Sequence, residues 1–382
     1  MQEKLVMLPG PTNVPNEVMR ALNKPIVNHR GETFKRLYRS VIEKAKKVFK
    51  TEQEVMILTC SGTGGVEASI VNLIKKGDKV IVPSFGEFSS RLAKQISDFG
   101  GEVLEIKAPL GSAPSYEELE EAFERNSNVK ALYLVTNETS TGVRIPWVKK
   151  AGSLCSKYDS FFIADAVSNL GGDELPVDDY NIDICITASQ KCLAAPPGLA
   201  LLSISKRARK YMEENPTSSL FFNLPRYFKF FYERGEPPFT PSIPLFYALD
   251  VALDLVIEEG LDKRIRRHKV CAEAFYEALE AMDFKAFPKR ELRSQTVLAF
   301  WHREGINDSQ FREYLDQKYG VIIAGGFGEV RGKVFRIGSM GIINSHHVIR
   351  TLSSMIQALR DLGFSMEEKA ISLAEAKLKE LR

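Results

Sequence analysis

Cysteine is sparse in this chain. Its five residues, Cys60, Cys155, Cys185, Cys192 and Cys271, show no paired spacing. That excludes a disulfide framework and a cysteine-knuckle zinc site, so no metal is expected and free thiols in a reducing compartment are. Long apolar runs are also missing, and the start, Met1-Gln2-Glu3-Lys4, has no basic stretch leading into one. Neither a membrane span nor a leader is therefore expected, and cytoplasm is the default location. Charge of one sign is absent as well: 52 Lys and Arg are interspersed with 49 Asp and Glu, a formal net charge of +3. Nucleic acid and anionic membrane are thereby disfavoured as partners, and a small molecule is favoured. There is no internal repeat and no low-complexity tract. What is present is ordinary: 44% apolar and 26% charged residues over 382 positions. Such a chain folds as a globular protein with room for two domains, or one large domain and a smaller one.

The first segment, Leu8-Pro9-Gly10-Pro11-Thr12-Asn13-Val14-Pro15, fixes turns and removes backbone donors, so residues 1–15 are predicted to be an extended arm. Apolar residues at helical spacing from Phe34 to Phe49 predict an amphipathic helix. Strand-length apolar runs follow at Val55–Leu58, Lys79–Val82, Glu102–Ile106, Ala131–Val135, Phe161–Ala164, Ile184–Thr187 and Leu199–Ile204, most separated by helix-length stretches. Runs apolar on both faces, such as Leu132-Tyr133-Leu134-Val135, belong to a parallel sheet covered on both sides. The fold class is therefore α/β, with a mostly parallel, doubly wound sheet in a large domain over 16–264. A helical pattern from Phe246 to about Leu261 runs into the basic stretch Lys263–Lys269, where a boundary is placed. Beyond it, 265–382 reads as a smaller α+β domain: a helix at Cys271–Met282, a strand at Thr296–Trp301, a helix at Ser309–Tyr319, a strand pair at Val321–Ala324 and Val334–Ile337, and a helix at His347–Leu362. The tail Glu367–Leu381 reads as a packed end helix with Ile371, Leu373, Ala374 and Leu378 on one side.

Three segments carry chemistry. Thr59-Cys60-Ser61-Gly62-Thr63-Gly64-Gly65-Val66-Glu67 follows a strand and opens a helix, where glycines permit a tight turn and unpaired amides favour an anion. An ordinary strand-to-helix turn would use the same glycines. A dinucleotide fingerprint is disfavoured because Glu67 stands where the third glycine belongs and the segment is not the first βα unit. Phe161-Phe162-Ile163-Ala164-Asp165-Ala166-Val167-Ser168 is a buried strand ending in a carboxylate, at the edge where α/β sheets bind ligands; a helix-capping or turn aspartate is the plainer reading. In Ile186-Thr187-Ala188-Ser189-Gln190-Lys191-Cys192-Leu193-Ala194-Ala195-Pro196-Pro197-Gly198 a lysine sits between a strand and a proline-glycine loop, and most such lysines are merely solvated. The order of phosphate turn, strand-end acid and loop lysine is that of a pyridoxal-phosphate site.

These segments resemble the class V aminotransferases of fold type I, in the alanine-glyoxylate and serine-pyruvate branch. The resemblance spans nearly the whole chain through Pro9-Gly10-Pro11-Thr12, Ser61-Gly62-Thr63-Gly64, Glu138-Thr139-Ser140-Thr141-Gly142, Asp165-Ala166-Val167-Ser168, Ser189-Gln190-Lys191, Pro196-Pro197-Gly198 and Arg336-Ile337-Gly338. It implies pyridoxal 5'-phosphate held as a Schiff base on Lys191, which also moves the substrate proton, and Asp165 paired with the pyridine nitrogen. It further implies that Thr63, Gly64, Gly65 and Gln190 hold the phosphate, that Phe88 stacks on the ring where relatives often carry tryptophan, and that Thr139 bonds the ring hydroxyl. Arg336, in an otherwise apolar strand, would bind the substrate carboxylate; a structural salt bridge is its plainer reading.

By the same resemblance the enzyme is a homodimer with shared sites. Pro237-Pro238-Phe239-Thr240-Pro241-Ser242-Ile243-Pro244 then enters the neighbouring site, where Phe239 replaces a usual tyrosine and Thr240 and Ser242 can still donate. His29 and Arg30 resemble a pair near the substrate entrance and are left outside the catalytic set, and Cys192 reads as a packed thiol. The implied substrates are a small amino acid, alanine or serine, and a small 2-oxo acid, glyoxylate or pyruvate. Three other readings are weighed. A cysteine desulfurase needs a reactive cysteine in the small domain, and none lies beyond Cys271. A phosphoserine-type aminotransferase needs further cations, for which Arg30, Lys35 and Arg331 are candidates. A non-catalytic binding homologue would have lost the lysine or the acid.

Overall fold

The computed structural model describes residues 4–365 and 369–381, so Met1–Glu3 of the arm and Glu367 and Glu368 of the tail reading lie outside the described residues. Seven strands form the main sheet: β1 (Glu54–Leu58), β2 (Lys79–Ser84), β3 (Glu102–Lys107), β4 (Val129–Val135), β5 (Phe161–Asp165), β6 (Ile184–Ala188) and β7 (Ala200–Ile204). Their order is β1-β7-β6-β5-β4-β2-β3. Only β7 runs antiparallel to its neighbours, and because it lies between β1 and β6, β1 still points the same way as the rest. The carboxyl ends of β1, β5 and β6 therefore open on one edge, with the three chemical segments immediately after them.

The apolar strands are double-sided because both faces are covered. Leu132, Leu134, Phe162 and Ala164 enter one core, with Phe34, Tyr38, Phe246 and Leu249. The alternate residues Ala131, Tyr133, Val135 and Ile163 enter the other, with Ile70, Leu92 and Ile96. The helix Gly62–Leu73 lies at backbone distance from the sheet. A Cβ on Gly65 would stand 2.9 Å from Ile186 Cγ2 and 3.1 Å from the Ala200 Cβ, neither of which can swing away.

A third core gathers Phe275, Leu279, Leu298, Phe335, Ile337, Leu352 and Met355. They belong to the helices Leu261–Ala281 and Ser345–Asp361 and to the sheet β8 (Val297–Trp301), β9 (Ala324–Gly325) and β10 (Val334–Gly338), in the antiparallel order β8-β10-β9. Period two along β10 turns Phe335 and Ile337 into this core and leaves Arg336 on the opposite face. The strand expected at Val321–Ala324 is split: Val321–Ile322 pairs in parallel with Leu5–Val6 of the arm, and only Ala324–Gly325 joins β10. Leu5 and Met7 are buried in the third core, which supplies the apolar reason for that pairing. The basic stretch 263–269 lies inside the helix Leu261–Ala281, where Arg264 and Arg267 both pair with Glu259. We propose the three-part organisation 1–15, 16–264 and 265–382 on the separation of these cores. In the tail, Ala370, Ala374 and Leu378 of the helix Lys369–Leu378 are buried against the same third core.

Gly65→Ala is expected to cost about 1–3 kcal/mol by overpacking, outweighing the better helix propensity of alanine. Denaturant unfolding checks this, since a neutral change would mean that the helix can lift off the sheet.

Candidate active site

A cavity of about 200 Å³ opens at the carboxyl edge of the main sheet. Thr63, Phe88, Thr139, Asp165, Gln190 and Lys191 all line it, together with Asn137 and Ser168. The segments are 50 or more residues apart in sequence in most pairs, and topology alone brings them together.

Each wall has a local cause. Ser61 caps the helix Gly62–Leu73 by accepting from the Gly64 amide at 3.4 Å. The first amides of that helix, at Gly62 and Thr63, have no carbonyl of their own helix to reach and so can serve an anion. Gly64 and Gly65 do not line the cavity. Their missing side chains answer to packing, against Cys60 and against β6 and β7 respectively, and the Gly65 amide is bonded to Ser61 O at 3.1 Å.

Phe88 is fixed by a buried carboxylate. Glu138, 0% exposed, accepts from the amides of Phe88 at 3.2 Å and Ser89 at 2.9 Å, and from Ser140 Oγ at 2.6 Å. Negative charge at the start of the helix Glu87–Asp98 complements its dipole and satisfies its open donors. Arg91, one turn on, lays its guanidinium 4.6 Å from the Phe88 ring centre, and both residues line the cavity. Sequence reading missed Arg91, although its helical spacing from Phe88 was the available signal. It missed Asn137 too, which is buried, donates to Ser168 Oγ at 2.7 Å and leaves Oδ1 unpartnered.

Lys191 sits on a closed loop in which Ser189 Oγ donates to Pro196 O at 2.7 Å and the Ala195 amide to Ser189 O at 2.9 Å. Arg264, buried, donates to the Cys192 carbonyl at 2.6 Å. The lysine Nζ donates to the Pro9 carbonyl of the arm. Gly10, at φ +103°, allows this, since a Cβ there would lie 2.5 Å from Lys191 Nζ. Burial, aided by Arg336, lowers the lysine to about 8, while burial raises Asp165 to about 6 against the pull of its bond from the Val167 amide at 3.0 Å. Cys192 is buried and pushed up to about 12, a packed thiol.

Three more expected residues stand outside the cavity. Arg336, 5% exposed, meets carbonyls rather than a carboxylate: Nε donates to Gly325 O and Nη1 to Thr139 O, both at 2.9 Å. It adjoins the cavity through Thr139 without lining it. Thr240 and Ser242 lie outside the cavity as well. Arg30 holds their segment by donating to Pro237 O at 2.7 Å and Pro238 O at 3.0 Å, and His29 lies 3.5 Å from Thr240 Oγ1. Phe239 stacks on Phe221 at 5.5 Å. Among the described residues, no cluster of His, Cys, Asp or Glu could hold a metal, and no helix is long and apolar enough to cross a membrane.

The neutral form of Asp165 is favoured in the fold, so the native state binds more protons than the unfolded chain between pH 3.8 and about 6. Stability falls as pH rises through that window, and the cost is complete above it. Asp165→Asn removes it, and the cofactor-free variant is expected to be about 1–3 kcal/mol more stable than wild type at pH 8, with no gain below about pH 4. Urea unfolding at both pH values checks this, and equal stability at pH 8 would mean that the carboxylate is well solvated.

Comparison with known proteins gives a consistent picture. The family model described as "Aminotransferase class-V" matches residues 7–351. The chain is 43% identical to an uncharacterized aminotransferase of Methanocaldococcus jannaschii over 99% of this chain and 98% of that one. It is 34% identical to a serine–glyoxylate aminotransferase of Methylorubrum extorquens, over 94% and 91%. Among solved structures, the ureidoglycine–glyoxylate aminotransferase of Bacillus subtilis superposes with a TM-score of 0.94 at 27% identity, covering 99% of both chains.

Proposed function

Since this chain belongs to the class V aminotransferases and has their fold type I architecture, we propose that it transfers an amino group from alanine or serine to glyoxylate or pyruvate by a ping-pong cycle. Glyoxylate stands in the names of two of the similar proteins, which supports it as acceptor. The observation that carries the reading is the meeting of Lys191 and Asp165 in one cavity, both displaced by burial toward neutral pH.

The class V fold family is pyridoxal-phosphate-dependent, and this cavity fits that group. Gln190 lines the cavity with a side-chain amide whose Nε2 can donate, Asn137 Oδ1 is buried without a partner among the described residues, the helix start offers free amides, and no described cation is hydrogen-bonded to the Asp165 carboxyl. When bound, the cofactor supplies an aldehyde that captures amines and a ring that accepts an electron pair. Asp165 holds the proton on the ring nitrogen, so that the ring keeps that capacity. Lys191 anchors the group and, with its amine lowered to about 8 by burial, loses its proton far more readily than a solvated lysine and moves the substrate proton as a general base. Thr63, the amides at the helix start and Gln190 hold the phosphate. Phe88 covers the ring and Thr139 bonds its hydroxyl. Arg336 keeps Nη2 for the substrate carboxylate.

Thr240 and Ser242 complete the site of a second subunit in a cytoplasmic homodimer. The exposed Leu220 and Phe221 beside Phe239 and the five free cysteines support this part. The phosphoserine reading loses two of its cations, since Arg30 and Lys35 both face Glu236, at 2.9 and 3.9 Å. The desulfurase reading loses its thiol: Cys271 is buried and pushed up to about 12.

The purified protein is expected to be yellow and to lose that absorbance on addition of alanine or serine. A colour indifferent to every small amino acid would end the transaminase reading. Borohydride reduction and peptide mapping are expected to place the pyridoxyl group on Lys191, and Lys191→Ala to lower turnover by a factor on the order of 10³.

A further inference from the structure

Phe327 touches both Arg336 and Phe88, the residues proposed to meet the substrate carboxylate and to cover the ring. Its ring centre lies 4.4 Å from the Arg336 guanidinium carbon and 6.1 Å from the Phe88 ring, edge-on at 85°. The ring is 37% exposed, held between rigid groups on one side and open on the other. It sits on a tight turn: a Cβ on Gly326 would collide with the Val330 carbonyl, and Gly328 has φ +49°. The backbone on either side of Phe327 is thus set by residues without side chains.

Behind the ring lies a second cavity of about 200 Å³, lined by Phe327 with Glu87, Ser90, Leu110 and Glu329. Its walls alternate with those of the first cavity along the chain. Glu87 and Ser140 belong to the second, and their neighbours Phe88 and Thr139 belong to the first. Chain neighbours thus line the two spaces, and Phe327, which lines the second, packs edge-on against Phe88, which lines the first.

We propose that Phe327 is a specificity-determining residue that limits the amino donor to small side chains, by closing the space between the carboxylate-binding Arg336 and the ring-covering Phe88. The inference rests on the aminotransferase reading given above. A substrate whose carboxylate meets Arg336 must place its side chain near this wall, where a methyl or hydroxymethyl group fits and a phenyl or isobutyl group meets the ring. Trimming Phe327 enlarges the second cavity on the side where its ring now packs against Phe88 and Arg336. Glu87 and Glu329 line the added space, so it accepts apolar side chains before acidic ones, whose charge they repel.

The test compares wild type, Phe327→Leu and Phe327→Ala, loaded with pyridoxal phosphate, on alanine, serine, leucine, phenylalanine and glutamate as donors with glyoxylate as acceptor. The ratio of kcat/KM for phenylalanine to that for alanine is expected to rise by about tenfold or more in Phe327→Ala and by less in Phe327→Leu, with glutamate gaining least. Loss of stability lowers all donors together and does not move the ratio. A ratio unchanged within twofold in either folded variant overturns the proposal.

Calorimetry on the cofactor-free proteins gives a second readout, with acetate and 3-phenylpropanoate as unreactive carboxylates. The phenyl compound is expected to gain affinity over acetate in the variants, and equal preference in all three proteins overturns the proposal. If wild type transaminates none of these donors, the functional reading fails, and the calorimetric preference alone decides whether Phe327 is the wall.

Discussion

Burial of one amine governs the architecture of this site. Lys191 is half enclosed at the floor of a small cavity, where the cost of desolvating an ammonium is offset by a single backbone acceptor, the Pro9 carbonyl. That arrangement demands a bare backbone at Gly10, an arm anchored just before it and a lysine loop unable to relax. The arm is anchored by the pairing of Leu5 and Val6 with Val321 and Ile322 and by the burial of Met7. The loop is closed on itself by Ser189 and clamped from below by Arg264. Elements from the first and last thirds of the chain thus converge to hold one side chain with a lowered proton affinity. A solvated lysine would gain nothing from them.

The segment 138–142 has a comparable role between the two larger parts. Its buried carboxylate, Glu138, starts the helix that carries Phe88, and its Thr139 carbonyl takes the Arg336 guanidinium. Gly142 closes the stitch: at φ +69° it passes so near β8 that a Cβ would stand 2.8 Å from Val297 O, and its own carbonyl accepts from the Ser294 amide at 2.9 Å. A buried negative charge is expensive unless fully bonded, and here three amides and a hydroxyl satisfy it. The same groups that meet this electrostatic need set the distance between Phe88 and Arg336. Stability and geometry are met by one device.

Asp165 shows the opposite balance. Its carboxyl gains one amide bond and otherwise sits in an apolar strand end, so the folded protein without its cofactor carries a charge it would be better without. Such a cost is intelligible at a functional site, where a cationic ring nitrogen would supply the missing partner.

Much of this was legible in the residues. The alternation of strand-length and helix-length apolar runs determined an α/β sheet, since period and double-sided burial are local properties. The succession of a glycine turn, a strand-end acid and a loop lysine pointed to the cofactor, because each motif lies directly after its strand. Pairings between distant segments were not legible. No local signal could tell that Val321 would join the arm rather than β10, that the basic stretch after residue 262 would be helix facing Glu259, or that Arg336 would meet carbonyls and an aromatic ring. Nor could glycine alone say whether it served an anion or, as at Gly65, a neighbouring strand. Those outcomes depend on which surfaces the tertiary fold presses together, and contact energies between segments hundreds of residues apart leave no periodic trace in either one.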